Sequence, residues 1–167
     1  MILFSEKQHF KQWWLWLILL SLNILFIYGV YKQVICGEQF GDNPGSNGML
    51  ISTCIFSIII SLFIAIIRLD TEVKQDAIYF RFFPVQFKYR QLKWEELSKT
   101  YVRKYNAIAE YGGWGLRIGL FGKGRAYNIS GNKGLQIETN EGKKILIGTK
   151  KPEELTSALT SIEKYKP

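Results

Sequence analysis

The sequence WWLWLILLSLNILFIYGVY at residues 13–31 and the sequence MLISTCIFSIIISLFIAII at residues 49–67 decide the fold of this chain. Neither stretch contains Asp, Glu, Lys, Arg or His. Because a helix rises about 1.5 Å per residue, each stretch is long enough to cross a hydrocarbon core of roughly 30 Å. We therefore predict two transmembrane helices joined by a polar, turn-rich loop.

The basic residues beside these stretches predict their orientation. Lys7 and Lys11 precede the first stretch and Arg68 follows the second, whereas the loop contains one basic residue, Lys32. Since cytoplasmic flanks carry the excess of Lys and Arg, both termini are expected in the cytoplasm of a multi-pass protein of the cytoplasmic (inner) membrane. The predicted organisation is a cytoplasmic flank at 1–12, helices at 13–31 and 49–67, an extracytoplasmic loop at 32–48 and a cytoplasmic domain at 68–167.

The net charge of +8 lies entirely in the C-terminal part of the chain. Residues 68–167 contain 19 Lys and Arg against 11 Asp and Glu, whereas residues 1–67 balance three Lys against three acidic residues. The inner leaflet is anionic and attracts nearby basic residues, so the lipid bilayer is the expected partner of this charge. Nucleic acid is not expected, because basic and acidic residues alternate and no RNA-recognition motif is present.

The sequence after residue 68 predicts about seven antiparallel strands and one helix. Pro152 suits a first helical position, Glu153 and Glu154 complement the helix dipole, and an apolar face follows from Leu155 to Ile162. Such a helix would close one end of a bent sheet, which gives an α+β domain. The predicted strands are Arg68–Lys74, Ala77–Phe83, Leu97–Tyr105, Trp114–Phe121, Arg125–Ile129, Gly134–Thr139 and Lys143–Gly148.

Three segments carry a resemblance to a known family. They are Tyr111–Arg117 (YGGWGLR), Ala126–Gly131 (AYNISG), and the hairpin Gly134–Gly148 with its continuation to Leu155. With the membrane hairpin in front of them, they resemble the bacterial pleckstrin-homology-like (PH-like) membrane proteins over nearly the whole chain.

The resemblance implies a transmembrane hairpin followed by a PH-like antiparallel β-sandwich or barrel of about seven strands with a C-terminal helix. It supplies no catalytic residues to transfer. Eukaryotic relatives bind phosphoinositides through a basic motif between their first two strands. The corresponding turn here is Lys74-Gln75-Asp76-Ala77, which departs from that motif because it contains a single lysine.

A glycine-rich stretch holds the candidate lipid or phosphate contacts. Ten of the 15 glycines fall between Gly112 and Gly148, without the spacing of GxGxxG or of a phosphate-binding P-loop. One interpretation is that these glycines serve turns and bulges. The other is that the basic side chains among them contact phosphate or lipid, and the candidates are Arg117, Lys123, Arg125 and Lys133.

The second apolar stretch carries a stripe of small and hydroxyl-bearing residues. Thr53, Ser57, Ser61 and Ala65 recur every four residues and therefore share one face of a helix. Small residues allow close approach of helices, and hydroxyls can bond across the contact. The stripe serves either packing within the hairpin, against Ser21, Asn23 or Gly29, or an interface with another membrane subunit or a second copy.

We find no sequence pattern that indicates an enzyme. His9 is the single histidine and precedes the first apolar stretch, so no Ser-His or Cys-His arrangement exists in the domain. Cys36 and Cys54 form no CxxC pair and belong to no cluster of metal ligands. No catalytic residue, metal, cofactor or small-molecule substrate is therefore expected.

Two functional hypotheses follow. In the first, the protein is a membrane-anchored PH-like binding or scaffold module that acts on a protein partner or by self-association, with its basic surface on anionic lipid. In the second, it is a small accessory or assembly subunit of a membrane complex that acts mainly through its transmembrane hairpin.

Overall fold

A computed structural model describes residues 1–119 and 122–166 of the 167-residue chain. The chain forms two compact units. Residues 11–66 form a helical hairpin, whereas residues 1–10 and 67–166 form an α+β domain. The predicted strand at Trp114–Phe121 includes Leu120 and Phe121, which lie outside the described residues.

The hairpin contains the two apolar helices expected from the sequence. Helix α1 spans Trp13–Val30 and continues through a π-helical turn, Tyr31–Ile35, and helix α2 spans Asn47–Ile66. Both are long and apolar enough to cross a membrane. The loop between them folds back onto α1, where a Cβ on Gly29 would lie 2.9 Å from the Phe40 ring. Gly29 therefore permits this close approach.

The first sheet of the domain includes a strand from before the hairpin. Its order is β1-β2-β3-β4, all antiparallel, and its strands are β1 (Ile2–His9), β2 (Arg68–Lys74), β3 (Ala77–Phe83) and β4 (Arg90–Lys93). The bounds predicted for β2 and β3 are confirmed, whereas β1 lies in the segment expected to be a flank. The turn at residues 74–77 consequently joins the second and third strands, not the first two.

The second sheet corrects the expectation of purely antiparallel order. Its order is β5-β8-β9-β7-β6, with β5 (Leu97–Lys104), β6 (Gly115–Ile118), β7 (Arg125–Asn128), β8 (Lys133–Thr139) and β9 (Lys144–Gly148). Strand β9 enters between β7 and β8, which run in opposite directions, so β9 is antiparallel to β8 and parallel to β7. The described residues form nine strands rather than about seven.

The two sheets enclose one hydrophobic core. Phe80, Leu135 and Ile147 are fully buried, and the predicted C-terminal helix, α4 (Pro152–Ser161), contributes Leu155 and Leu159. Burial of such side chains stabilises the fold by roughly 1.5–3 kcal/mol each. The core therefore unites strands from both sides of the helical hairpin in the sequence.

Two buried polar side chains hold β1 to the segment between β9 and α4. The Glu6 carboxylate accepts hydrogen bonds from the Thr149 hydroxyl at 2.6 Å and from the Lys150 amide at 2.9 Å. The side-chain amide of Gln8 donates to the Gly148 carbonyl at 2.7 Å. These bonds offset the cost of burying the Glu6 carboxylate and the Gln8 side-chain NH2 group.

A short helix, α3 (Ala107–Tyr111), packs on the second sheet in a smaller cluster that includes Ala126 of β7 and Leu146 of β9. The Asn106 side chain caps α3 by accepting hydrogen bonds from the amides of Ile108 and Ala109. Arg103 of β5 makes a bidentate ion pair with Glu110, in which Nη2 of Arg103 lies 2.8 Å from Oε2 of Glu110. The hydrogen bond from Arg103 lowers the pKa of the Glu110 carboxyl, although partial burial opposes the shift.

Candidate functional site

The candidate site is a basic groove between the start of β4 and one end of the second sheet. It has a volume of about 540 Å³. Among the described residues, four cationic side chains and no carboxylate line it. We call this feature the basic groove, and its lining residues are Arg90, Ile118, Gly119, Gly122, Gly124, Arg125, Gly142, Lys143, Lys144 and Ile145.

Close backbone packing at Gly124 positions the groove. A Cβ on Gly124 would lie 2.0 Å from the Lys144 carbonyl oxygen, and its φ of +81° is one that L side chains rarely adopt. The Gly119 amide also donates to the Gly124 carbonyl at 2.6 Å. Glycine is therefore required where β7 begins beside β9, and this approach brings Arg125 next to Lys144.

The four cations of the groove differ in how far they are neutralised. Lys143 lies 2.7 Å from Glu141, and Lys144 lies 3.9 Å from Glu138. Arg90 donates a long hydrogen bond of 3.4 Å to the hydroxyl of Tyr127.

Arg125 is exposed, and no hydrogen bond or ion pair joins its guanidinium to another described residue. An unpaired guanidinium beside three other cations is suited to an anionic ligand, because it offers forked donors to carboxylate or phosphate oxygens.

The structure does not bring the four predicted contact residues together. Arg125 lines the basic groove, whereas Arg117 donates to the Trp114 carbonyl at 3.0 Å and does not line it. Lys123 is exposed outside the groove lining. Lys133 pairs with Glu153 at 3.1 Å in a separate depression beside α4.

Sequence reasoning missed three of the four groove cations. Lys143 and Lys144 follow the turn between β8 and β9, and their adjacency at a predicted hairpin was an available signal. Arg90 lies on a four-residue strand of the other sheet. Only the tertiary fold brings it to the groove.

The small-residue stripe of α2 engages α1 within the hairpin. The Asn23 side chain donates to the Ser61 hydroxyl at 2.8 Å and accepts from the Ser57 hydroxyl at 2.7 Å. The Thr53 hydroxyl instead donates to the Met49 carbonyl of its own helix. Ala65, the last residue of the stripe, is exposed.

Among residues 1–119 and 122–166, no group of three His, Cys, Asp or Glu residues could hold a metal ion. Cys36 and Cys54 are both free thiols, and Cys54 is buried. Comparison of the chain with protein-family models, with curated proteins and with solved structures returned no match. The chemistry of the groove must therefore be argued from the residues themselves.

Proposed function

We propose that the protein is a membrane-anchored binding module of the cytoplasmic membrane, with two spanning helices, both termini in the cytoplasm and a domain that binds rather than catalyses. Strand pairing supports this topology. Strand β1 precedes the hairpin and β2 follows it, yet their residues pair from Ile2↔Lys74 to His9↔Arg68. Both ends of the hairpin therefore emerge on one side, and the flanking basic residues favour the cytoplasm for that side.

The strand order supports a PH-like domain with an insertion. If α3 and the β6–β7 hairpin are set aside, seven strands and a C-terminal helix remain, as the resemblance implies. In this interpretation the helical hairpin at residues 11–66 connects β1 and β2, the first two strands of the domain. That is the connection in which eukaryotic relatives carry their phosphoinositide motif, so the chain would replace a lipid-binding loop with a membrane anchor.

One observation carries the proposed binding function: Arg125 has no hydrogen-bond or ion-pair partner among residues 1–119 and 122–166, and the described lining of its groove has three further cations and no carboxylate. We propose that the groove binds a phosphate-bearing anion, and that headgroups of the anionic inner leaflet supply it. Phosphate oxygens match the guanidinium fork and the lysine ammonium groups, and attraction to the leaflet adds about 1 kcal/mol per nearby basic residue.

A protein partner or a second copy of the chain remains part of the proposal. Strand β6 is at the edge of its sheet, and among the described residues only β7 pairs with it. Ile118 on this strand is 77% exposed. An exposed edge of this kind can accept an additional strand from a partner peptide.

The alternative, an accessory subunit that acts through its hairpin, depended on the stripe of α2. Because Ser57 and Ser61 bond to Asn23 of α1, their hydroxyls already have partners within the hairpin. We therefore favour the binding module.

Native mass spectrometry of the full-length protein in mild detergent tests the proposal. We expect retention of phosphatidylglycerol in preference to phosphatidylcholine, and inorganic phosphate in excess should compete if the phosphate group alone is recognised. In the double variant R125Q/K143Q, affinity for phosphatidylglycerol should fall by about 5- to 30-fold, because two attractions of about 1 kcal/mol each are lost and Lys143 is partly neutralised.

The matched control is K99Q/K150Q, which removes two exposed lysines outside the groove. Equal loss in both double variants would indicate a general charge effect and would contradict a groove-specific site. The native masses also report whether one or two chains are present in each particle.

A further inference from the structure

Both connections to the helical hairpin leave the domain at the same end of the first sheet, where β1 and β3 end and β2 begins. His9 ends β1 and pairs with Arg68, which begins β2 and pairs with Phe83 at the end of β3. Phe10 and Ile67, the next residues along each connection, pack against the domain core.

The connections are short. Lys11 and Gln12 alone separate Phe10 from α1, and Ile67 directly follows the last residue of α2. Since consecutive Cα atoms are 3.8 Å apart, the connecting chain from Phe10 to the first residue of α1 can extend no more than about 11 Å. If the helices cross a bilayer, that bilayer would therefore lie close to this end of the sheet.

The loop at residues 84–89 extends from the same end of the sheet, because it continues directly from Phe83. It exposes two apolar side chains, Val85 at 55% and Phe87 at 72%, and the next residue, Lys88, is also exposed. Tyr89 follows and is 36% exposed. Apolar side chains beside a lysine and a tyrosine are typical of segments at a membrane interface.

Specific contacts hold this loop, so the exposure of Phe87 belongs to an ordered structure. Arg81 donates to the Phe87 carbonyl at 3.3 Å, and its guanidinium lies 4.5 Å from the centre of the Tyr89 ring. Arg81 is itself fixed by the buried Asp70 carboxylate at 2.7 Å. The Phe83 and Phe87 rings meet edge to face with centres 5.5 Å apart.

We propose that the 84–89 loop contacts the membrane in addition to the two helices. Val85 and Phe87 enter the interfacial region of the bilayer, and Lys88 lies among anionic headgroups. The inference rests on the proposed spanning hairpin and is independent of the basic groove. The partner of the loop is lipid, because a spanning hairpin places a bilayer near this end of the sheet and the loop combines apolar and cationic side chains.

Spin-label accessibility in nanodiscs of phosphatidylglycerol and phosphatidylcholine tests this proposal. A full-length C36S/C54A background receives one cysteine at a time: Phe87→Cys and Val85→Cys in the loop, Gln75→Cys in the exposed turn at the opposite end of the sheet, and Ile59→Cys in α2. Labels in lipid collide more with O2 and less with a nickel chelate. We expect a ratio of O2 to nickel collisions about threefold higher at Phe87 and Val85 than at Gln75, because an interfacial side chain reaches about 5–10 Å into the bilayer.

The Ile59 label separates the two proposals. If Ile59 reports lipid while both loop labels match Gln75, the loop inference is wrong and the spanning hairpin stands. If Ile59 also matches Gln75, the hairpin does not span and both proposals fall. Loop labels shielded from O2 and nickel alike would indicate contact with a second copy of the chain, which also overturns the lipid assignment.

Discussion

The N-terminal strand offers the most direct test of how this domain is built. Phe4 of β1 is 5% exposed and belongs to the core, where its strand partner is Val73 of β2. Fifty-six residues of hairpin separate the two parts of the domain in sequence. Replacing Phe4 with alanine should destabilise the C-terminal domain, although the mutation lies on the other side of the hairpin.

The expected cost follows from burial. Truncation of a buried phenylalanine to alanine costs about 3–5 kcal/mol, which is a large part of the roughly 5–15 kcal/mol that stabilises a domain. With a denaturant slope of about 2 kcal/mol per molar urea, the unfolding midpoint of Phe4→Ala should fall by about 2 M. Ile2 of the same strand is 54% exposed, so Ile2→Ala should change stability by no more than about 0.5 kcal/mol.

Pulse proteolysis of the full-length protein in mild detergent measures these midpoints. Brief exposure to trypsin across a urea series cleaves the domain only where it is unfolded, and residues 68–167 contain 19 Lys and Arg, all of which are potential sites except Lys151 and Lys166, which precede proline. Lys32 in the loop can be cut whether or not the domain is folded, whereas residues 33–67 contain no Lys or Arg, so survival of the fragment that begins at residue 33 reports the folded domain.

A Phe4→Ala midpoint within about 0.3 M of the Ile2→Ala midpoint would refute the reasoning. It would mean that β1 contributes nothing to the core, and pairing of β1 with β2 would no longer support emergence of both hairpin ends on one side.

Three further substitutions test the second sheet and its insertion. In Gly124→Ala the new Cβ would clash with a carbonyl oxygen 2.0 Å away, so we expect a loss of about 3 kcal/mol or more. Gly142→Ala, at a similar φ of +78° but in open space, should cost only about 1–2 kcal/mol; equal urea midpoints for the two variants would contradict this. The pKa of Glu110 is lowered by the hydrogen bond from Arg103, so its contribution is full above the ordinary glutamate pKa of about 4.3 and is lost as pH falls through the lowered value. Glu110→Gln should therefore be less stable than wild type by about 1–2 kcal/mol at pH 7, and this difference should shrink as the pH is lowered below about 4.3, measured by urea unfolding followed by tryptophan fluorescence; a difference that does not change with pH would exclude the ion pair as its source.

The elements that the sequence predicts well have side chains that report their own environment. Strands β2 and β3 were predicted with the observed bounds, and α4 was predicted to begin at Pro152. In β3 and α4 apolar residues occupy the inward positions at the period of the element, and in β2 Leu69 and Val73 do so with Thr71 buried between them.

Strand β1 was missed because its inward residues do not form an apolar pattern. Its inward side chains are Phe4, Glu6 and Gln8, and the two polar ones hydrogen-bond to partners more than 139 residues away. The local sequence cannot predict burial of a carboxylate whose hydrogen-bond donors lie at the other end of the chain. The groove has the same difficulty, because Arg90 reaches it from a different sheet than Arg125.

The division of the domain by the hairpin has a consequence for biosynthesis. Strand β1 is synthesised first but has no partner until both helices and β2 have been made, and Glu6 finds Thr149 only when the chain is nearly complete. If the hairpin spans a membrane as proposed, a chain whose N-terminus stayed on the other side from residues 67–166 would have β2 as an unprotected sheet edge and an incomplete core. Folding of the domain would thus report correct insertion, since a stable domain can form only in a chain whose two ends share one compartment.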